Sequence, residues 1–323
     1  MMPAFAYLRP QSLTAAISSL QRDRAYVLAG GSDLLGCLRD EIFTADKLVS
    51  LSGLKKELHG ISRTPEGGLS IGALTTLSEV AADERIRSSY PGLAQAASEV
   101  ASPQLRNQGT IGGNLCQKPR CWYYRGDFHC LRKGGSRCFA LGGEDQFHCI
   151  LGGQSCYIVH PSDTAPVLAA LKALVNISGP DGERTMPVSR LHVPPSEDPT
   201  RELSLSPGEI ITSIYLPPVK ESVRSSYRKV RTRRAWDFAL AGVALVLDMD
   251  GPRVNSASVY LSGCAPIPWH AAEVEETISG RELNQQIIDQ AAGRAVNQAR
   301  PLSKNQYKIQ LIKGIIREEL NAQ

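Results

Sequence analysis

Cysteines are the residues with the clearest capacity for chemistry, and six of the eight lie between positions 116 and 156. Eight residues separate Cys121 from Cys130, seven separate Cys130 from Cys138, and seventeen separate Cys138 from Cys156. Zinc ribbons bring their cysteines in close pairs, whereas these intervals suit loops wrapped around a larger object, such as a cluster held by four thiolates. Spacing alone leaves zinc, iron–sulfur and plain buried thiols open.

Two glycine-rich segments form a second group of candidate functional residues. Gly30-Gly31-Ser32-Asp33 follows a short apolar segment, and residues 109–114 contain three glycines in five positions. Glycines let the main chain approach a pyrophosphate, and successive N–H groups form an anion-binding nest. We therefore expect residues 109–114 to be a loop rich in free N–H groups. Neither segment has Rossmann spacing, and each alone is equally consistent with a tight turn.

Regular elements must position these segments. Ser12 predicts a helix N-cap followed by an apolar face, and the pair Thr76 and Glu79 predicts a capping box. A helix is expected to begin near Asp163, just after the cysteine-rich stretch. From about residue 222 the pattern is strand, strand and then helices, which indicates a compact α+β unit.

Composition narrows the class of protein. The chain has 323 residues, 42% of them hydrophobic, which is enough for real cores in two or three units. A net charge of +4 without aromatic-interleaved basic motifs argues against a nucleic-acid partner. No apolar run is long enough to span a membrane, and no secretory signal is recognisable. We expect a cytoplasmic protein, unless a partner subunit carries it out of the cytoplasm.

The order of several motifs resembles the flavin subunits of the xanthine dehydrogenase and carbon monoxide dehydrogenase family. The resemblance covers nearly the whole chain and is carried by residues 27–34, 72–76, 106–115, 160–163, 227–231 and 261–269. The cysteine-rich insert resembles the [4Fe–4S]-containing type, namely the 4-hydroxybenzoyl-CoA reductase β subunit and the flavin subunit of bacterial aldehyde oxidoreductases.

The resemblance implies an α+β fold with a two-subdomain FAD-binding unit of the vanillyl-alcohol-oxidase (PCMH) type and a smaller C-terminal α+β domain. The implied domains are residues 1–57, residues 58–221 with the insert at about 116–157, and residues 222–323. It implies that a set of glycine-loop residues plus an acid and a lysine contact FAD. They are Val27, Leu28, Ala29, Gly30, Gly31, Ser32, Asp33, Leu34, Gly109, Thr110, Ile111, Gly112, Gly113, Asn114, Asp163 and Lys229.

The same resemblance implies that Cys121, Cys130, Cys138 and Cys156 hold a [4Fe–4S] cluster, with Cys149 as the alternative to Cys156. Nearby histidines, including His148, are expected to be structural. No residue of this chain is expected to act on the organic substrate.

The implied role is electron relay in a heterotrimer with a [2Fe–2S] small subunit and a molybdenum-cofactor large subunit, with dimerisation of the trimer left open. A ferredoxin or NAD is the candidate external electron partner. A stand-alone flavin oxidoreductase and a zinc-stabilised interaction module are the rival interpretations.

Overall fold

The computed structural model describes residues 2–21 and 24–323, and its strands fall into three sheets. The strands are β1 (Ala6–Leu8), β2 (Ala25–Leu28), β3 (Lys47–Ser50), β4 (Ile61–Arg63), β5 (Leu69–Gly72), β6 (Leu174–Gly179), β7 (Gly182–Pro187), β8 (Ile210–Leu216), β9 (Val223–Val230), β10 (Ala241–Asp250), β11 (Arg253–Ser262), β12 (Trp269–His270) and β13 (Arg281–Glu282).

Most of the helices are short, and the two longest lie in the C-terminal unit. They are α1 (Leu13–Leu20), α2 (Leu34–Arg39), α3 (Lys55–Leu58), α4 (Leu77–Ala82), α5 (Glu84–Ser89), α6 (Pro91–Glu99), α7 (Pro103–Arg106), α8 (Ile111–Leu115), α9 (Trp122–Arg125), α10 (Thr164–Ala170), α11 (Ala272–Ile278), α12 (Gln285–Arg294) and α13 (Tyr307–Asn321). Across residues 2–21 and 24–323, none is both long and apolar enough to cross a bilayer.

The first sheet is a parallel trio in the order β1-β3-β2. Helix α1 packs beside it, and the side chain of Ser12 accepts a hydrogen bond from the N–H of Ala15, which confirms the predicted N-cap. The buried side chains of Ala16 and Leu20 belong to the same small core as Val49 of β3. This sheet therefore carries the end of β2, and with it the first glycine segment, to the edge of the second unit.

The second sheet is antiparallel, in the order β4-β5-β8-β6-β7. Its main core also takes side chains from α4, α6, α8 and α10. The capping box is confirmed, because Thr76 accepts from the N–H of Glu79 while the Glu79 carboxylate accepts from the N–H of Thr76. The cysteine-rich insert leaves this unit after α8 and returns at α10, with only α9 and one 3-10 turn as regular structure.

The third sheet has the order β12-β11-β10-β9, with β13 also paired to β11. Strand β10 is buried on both faces, and its successive side chains point to opposite sides of the sheet. Val243, Leu245 and Leu247 join the core formed with the C-terminal helices, whereas Ala244 joins the core of the second sheet. The third sheet is therefore packed between the C-terminal helices and the unit built on the second sheet.

Candidate cofactor and thiol sites

The first glycine segment connects β2 to α2. Gly31 has φ +73°, a left-handed conformation that other residues rarely adopt. Within the described chain, no hydrogen bond uses the backbone N–H of Gly30, Gly31 or Ser32 as donor. These groups line a cleft that also faces the second glycine segment. Successive unpaired amides at such a turn are suited to bind an anionic diphosphate.

The second glycine segment differs from the expectation of a free loop. Thr110 caps the short helix α8 by accepting a hydrogen bond from the N–H of Gly113. The N–H of Ile111 donates to Thr75 O, and that of Gly112 donates to Ala73 O. The prediction of a loop with free N–H groups was therefore wrong, because backbone pairing with residues 73–75 uses them. This segment forms a wall of the cleft and does not provide an amide nest.

The two glycine segments touch through their backbones. A Cβ at Gly30 would lie 1.9 Å from the carbonyl oxygen of Gln108, and one at Gly112 would lie 2.9 Å from the Cβ of Ala73. Real Cβ atoms essentially never come within 3.0 Å of such neighbours. Glycine at these positions therefore lets the first segment, the second segment and the end of β5 meet at the cleft.

Twelve of the sixteen predicted FAD contacts line this cleft. They are Val27, Ala29, Gly30, Gly31, Ser32, Asp33, Leu34, Gly109, Thr110, Gly112, Gly113 and Asn114. Leu28 and Ile111 lie next to lining residues but are not part of its wall. Leu74, Leu77 and Val100 add apolar surface between the polar segments. A cleft with apolar walls and a cluster of unpaired amides fits a dinucleotide cofactor.

Asp163 and Lys229 form a buried ion pair outside the cleft wall. The Nζ of Lys229 lies 2.7 Å from Oδ2 of Asp163, and their side chains are 1% and 5% exposed. Tyr227 donates its hydroxyl to the other carboxylate oxygen at 2.8 Å, and the same hydroxyl lies 3.0 Å from Ser262 Oγ. Burial raises the pKa of Tyr227 well above its usual value, and the Asp163 charge reinforces this. The pair joins the start of α10 to β9.

Sequence reasoning missed two cationic side chains at the cleft, Lys118 and Arg120, which come from the start of the insert. Arg120 and Arg125 each lie 2.8 Å from Oδ1 of Asp33, and the N–H of Lys118 donates to Oδ2. Asp33 is therefore held by the insert. The basic residues between positions 118 and 125 were the available sequence signal.

The four cysteines predicted as ligands line one narrow cavity. Cys121, Cys130, Cys138 and Cys156 surround it, and its free volume is about 10 Å³. The neighbouring thiol of Cys156 lowers the pKa of Cys138, against the opposing effect of burial. These two thiols lie far apart in the sequence and meet at the cavity.

The other four cysteines lie outside this cavity. Cys116 belongs to the wall of the cleft. Cys37 accepts a hydrogen bond from Arg125 at 2.8 Å, and burial raises its pKa to about 11. Burial likewise raises the pKa of Cys264 to about 12. Cys149 is fully buried and packs against Gly153. A Cβ added at Gly153 would lie only 2.8 Å from the sulfur of Cys149.

Two nitrogen-bearing side chains also line the thiol cavity, and neither was predicted to touch a ligand. The Nε2 of His148 lies 3.2 Å from the sulfur of Cys121, and burial lowers the His148 pKa. Arg132 has a side chain that is 1% exposed, and one of its nitrogens lies 2.9 Å from Glu202. Glu202 in turn pairs with Lys118. This chain of ion pairs connects the thiol cavity to the cleft between the two glycine segments.

A cavity of about 210 Å³ separates the two sites and shares walls with both. It has Arg120 and Phe238 in common with the cleft, and Cys121 and His148 in common with the thiol cavity. Groups bound in the cleft and in the thiol cavity would therefore be neighbours.

The insert is also attached to the C-terminal unit. The buried carboxylate of Asp145 accepts hydrogen bonds from the N–H groups of Ser303 and Lys304 and from the Ser303 hydroxyl. Asn305 donates to the carbonyls of residues 148 and 149. Lys308 is fully buried and donates to the carbonyls of residues 147 and 263, and burial lowers its pKa to about 8.

Comparison with known proteins agrees with this architecture. Residues 3–219 match the family model of the FAD binding domain in molybdopterin dehydrogenase, and residues 225–321 match that of the CO dehydrogenase flavoprotein C-terminal domain. The chain is 37% identical to the aldehyde oxidoreductase FAD-binding subunit PaoB of Escherichia coli (strain K12), over 97% of this chain and 96% of that protein.

It is 28% identical to the glyceraldehyde dehydrogenase medium chain of Sulfolobus acidocaldarius, over 96% of this chain and 95% of that protein. A solved structure of carbon monoxide dehydrogenase from Hydrogenophaga pseudoflava shares the fold, with a TM-score of 0.79 at 24% identity, covering 100% of this chain and 98% of that one. The chain therefore belongs to the family of FAD-binding medium subunits of the xanthine dehydrogenase and carbon monoxide dehydrogenase type, and it is an FAD-binding oxidoreductase subunit.

Proposed function

We propose that this chain relays electrons between FAD in the cleft and a [4Fe–4S] cluster in the thiol cavity, as one subunit of a molybdenum-dependent complex. One observation carries the iron–sulfur part of the proposal. Cys121, Cys130, Cys138 and Cys156 line the same cavity, although they span a long insert with little regular structure. The remaining four cysteines of the chain do not.

The cleft supports the placement of FAD. The unpaired amides of residues 30–32 would bind the diphosphate, and Lys118 and Arg120 would add positive charge beside it. The apolar surface of Leu74 and Leu77 would shield the rest of the cofactor from water. When bound, FAD supplies the ability to take up two electrons and release them singly. Asp163 and Lys229 would fix the packing behind the cofactor.

The donor set of the thiol cavity favours a cluster over a zinc ion. Four thiolates are the usual ligands of a four-iron cluster, and their negative charge is offset here by the buried guanidinium of Arg132. The long intervals between these cysteines also differ from the close cysteine pairs of a zinc ribbon. Cys156 is preferred to Cys149 as the fourth ligand because only Cys156 lines the cavity.

The partners are proposed from the relatives. Related chains are described as medium chains of carbon monoxide dehydrogenase or as an FAD-binding subunit of an aldehyde oxidoreductase. We propose that this chain binds a [2Fe–2S] small subunit and a molybdenum-cofactor large subunit, on which the substrate reacts. A ferredoxin or NAD would exchange electrons with the complex. The proposed domains remain residues 1–57, 58–221 and 222–323.

The test is a cofactor analysis of the complex purified without oxygen. We expect one FAD and four iron and four sulfide ions per copy of this chain, beyond the iron of the small subunit. Cys130→Ser should remove the additional iron, and Cys149→Ser, at a buried thiol outside the cavity, is the matched control. Zinc in place of the additional iron, or equal iron loss in both variants, contradicts the proposal. Activity of the isolated chain without partners favours a stand-alone flavoenzyme instead.

A further inference from the structure

Arg132 is a buried cation whose hydrogen bonding is incomplete. Its Nη1 donates to Glu202 at 2.9 Å and to the carbonyl of Arg201 at 3.2 Å. Its Nε and Nη2 have no hydrogen-bond partner within residues 2–21 and 24–323, although the side chain is only 1% exposed. The residue lines the thiol cavity together with Cys156. A buried guanidinium with spare donors is costly unless an acceptor faces it.

His148 reaches the same cavity from the other end of the insert. Its Nε2 lies 3.2 Å from the sulfur of Cys121, which is within hydrogen-bonding range for sulfur. A thiolate that holds iron can only accept a hydrogen bond, so the Nε2 of His148 must be the donor in the loaded protein. The imidazole is held by burial and by the tilted ring of Tyr123, whose centroid lies 6.0 Å from that of His148.

Donors at cysteine sulfurs change the reduction potential of a cluster. An added electron increases the negative charge on the sulfurs, so an N–H···S hydrogen bond is stronger in the reduced state than in the oxidised state. A fixed positive charge at the same place acts in the same direction and is little screened when it is buried. Both groups should therefore stabilise the reduced cluster.

We propose that Arg132 and His148 donate hydrogen bonds to the iron-bound sulfurs of Cys156 and Cys121 and thereby raise the reduction potential of the cluster. The inference rests on the proposed [4Fe–4S] site. Glu202 acts as the positioning residue that orients Arg132, and its ion pair with Lys118 connects this orientation to the FAD-type cleft. Side chains of this one polypeptide would then adjust the reduction potential of the cluster relative to that of the flavin.

The test is a redox titration of the whole complex, followed by the EPR signal of the reduced cluster. Arg132→Met and His148→Phe should each lower the midpoint potential. We expect the ratio of reduced to oxidised cluster, measured at the wild-type midpoint, to fall roughly tenfold, which corresponds to ~59 mV for a one-electron couple. Arg132→Lys should restore part of the shift, because lysine keeps the charge but loses the guanidinium fork.

Arg137→Met is the matched control, because Arg137 is an exposed cation of the same insert that lies 4.5 Å over the ring of Phe139. Its removal should leave the potential unchanged. Wild-type potential in both Arg132→Met and His148→Phe, at full iron content, overturns the inference, and a shift in only one overturns the role of the other residue. If Arg132→Met does not fold, Arg132→Lys and His148→Phe decide the same question. Absence of the cluster from the wild-type complex would instead refute the proposed function.

Discussion

Replacing Gly30 with alanine perturbs the contact between the two glycine segments without adding charge or polarity. The new Cβ would lie 1.9 Å from the carbonyl oxygen of Gln108, whereas ordinary van der Waals contact begins at about 3.4 Å. The two backbones must therefore separate by about 1.5 Å, the difference between these distances. The backbone fixes the position of the new Cβ, and the clashing oxygen belongs to the main chain, so rotation of a side chain cannot relieve the clash.

The expected magnitude follows from what the displaced segment does. Overpacking of this kind costs about 1–3 kcal/mol of folding stability. Displacement of the unpaired amides should also weaken two charge-assisted hydrogen bonds to the diphosphate, at about 1.5 kcal/mol each. The two weakened hydrogen bonds together reduce the free energy of FAD binding by about 3 kcal/mol, which raises the Kd for FAD roughly 100-fold.

The assay is the quenching of flavin fluorescence when FAD is added to the deflavinated complex, together with thermal unfolding. Gly36→Ala is the control, because Gly36 lies in the adjacent helix α2 and an added Cβ meets nothing within 4 Å. That change should leave FAD affinity unaltered and add up to about 1 kcal/mol of stability through helix propensity. Wild-type affinity in Gly30→Ala, or an equal loss in Gly36→Ala, would show that the contact between the segments does not shape the cofactor site.

Three further outcomes are expected. Cys156→Ser should lose iron whereas Cys149→Ser keeps it, as measured by iron and sulfide analysis; retention in Cys156→Ser would mean that the ligand set is wrong. Lys229→Met should lower the free energy of unfolding by about 3–5 kcal/mol, because it leaves the Asp163 carboxylate buried and unpaired, and Asp163→Asn in addition should recover part of the loss in denaturant titrations. Burial lowers the Lys308 pKa from 10.5 to about 8, so the folded state binds fewer protons than the unfolded state between these values, and stability relative to Lys308→Met should rise by roughly 3 kcal/mol across that window; a constant difference in unfolding free energy would contradict this.

Local patterns predicted the features that depend on neighbouring residues. The N-cap at Ser12 and the capping box at Thr76 were confirmed because each involves donors and acceptors within three positions of one another. The cysteine spacing alone left zinc, iron–sulfur and buried thiols open. The family resemblance supplied a set of four cysteines, and all four line one cavity. The sequence also indicated that the apolar strand before Gly30 leads into a tight turn, where Gly31 has φ +73°.

Long-range pairing explains what the sequence did not reveal. The N–H groups of residues 111 and 112 are used by carbonyls of residues 75 and 73, almost forty positions earlier, so glycine content alone gave a misleading picture of a free loop. The ion pair of Asp163 with Lys229 joins residues 66 positions apart. His148 was expected to be structural because nothing in its local sequence shows that it reaches Cys121.

The insert is held by hydrogen bonds to two other parts of the chain, the first glycine segment and the C-terminal unit. This limits how such a segment could be gained or transferred between proteins. The carboxylate of Asp33, which lies outside the insert, accepts hydrogen bonds from residues of the insert. The carboxylate of Asp145, which lies inside the insert, accepts hydrogen bonds from residues 303 and 304 of the C-terminal unit. Excising residues 116–157 would therefore strip the Asp33 carboxylate of its partners and leave Lys308 without one of its two carbonyl acceptors. To transfer the insert into a relative that lacks it, one would also have to transfer the residues that contact it, namely Asp33, residues 303 and 304, and Lys308.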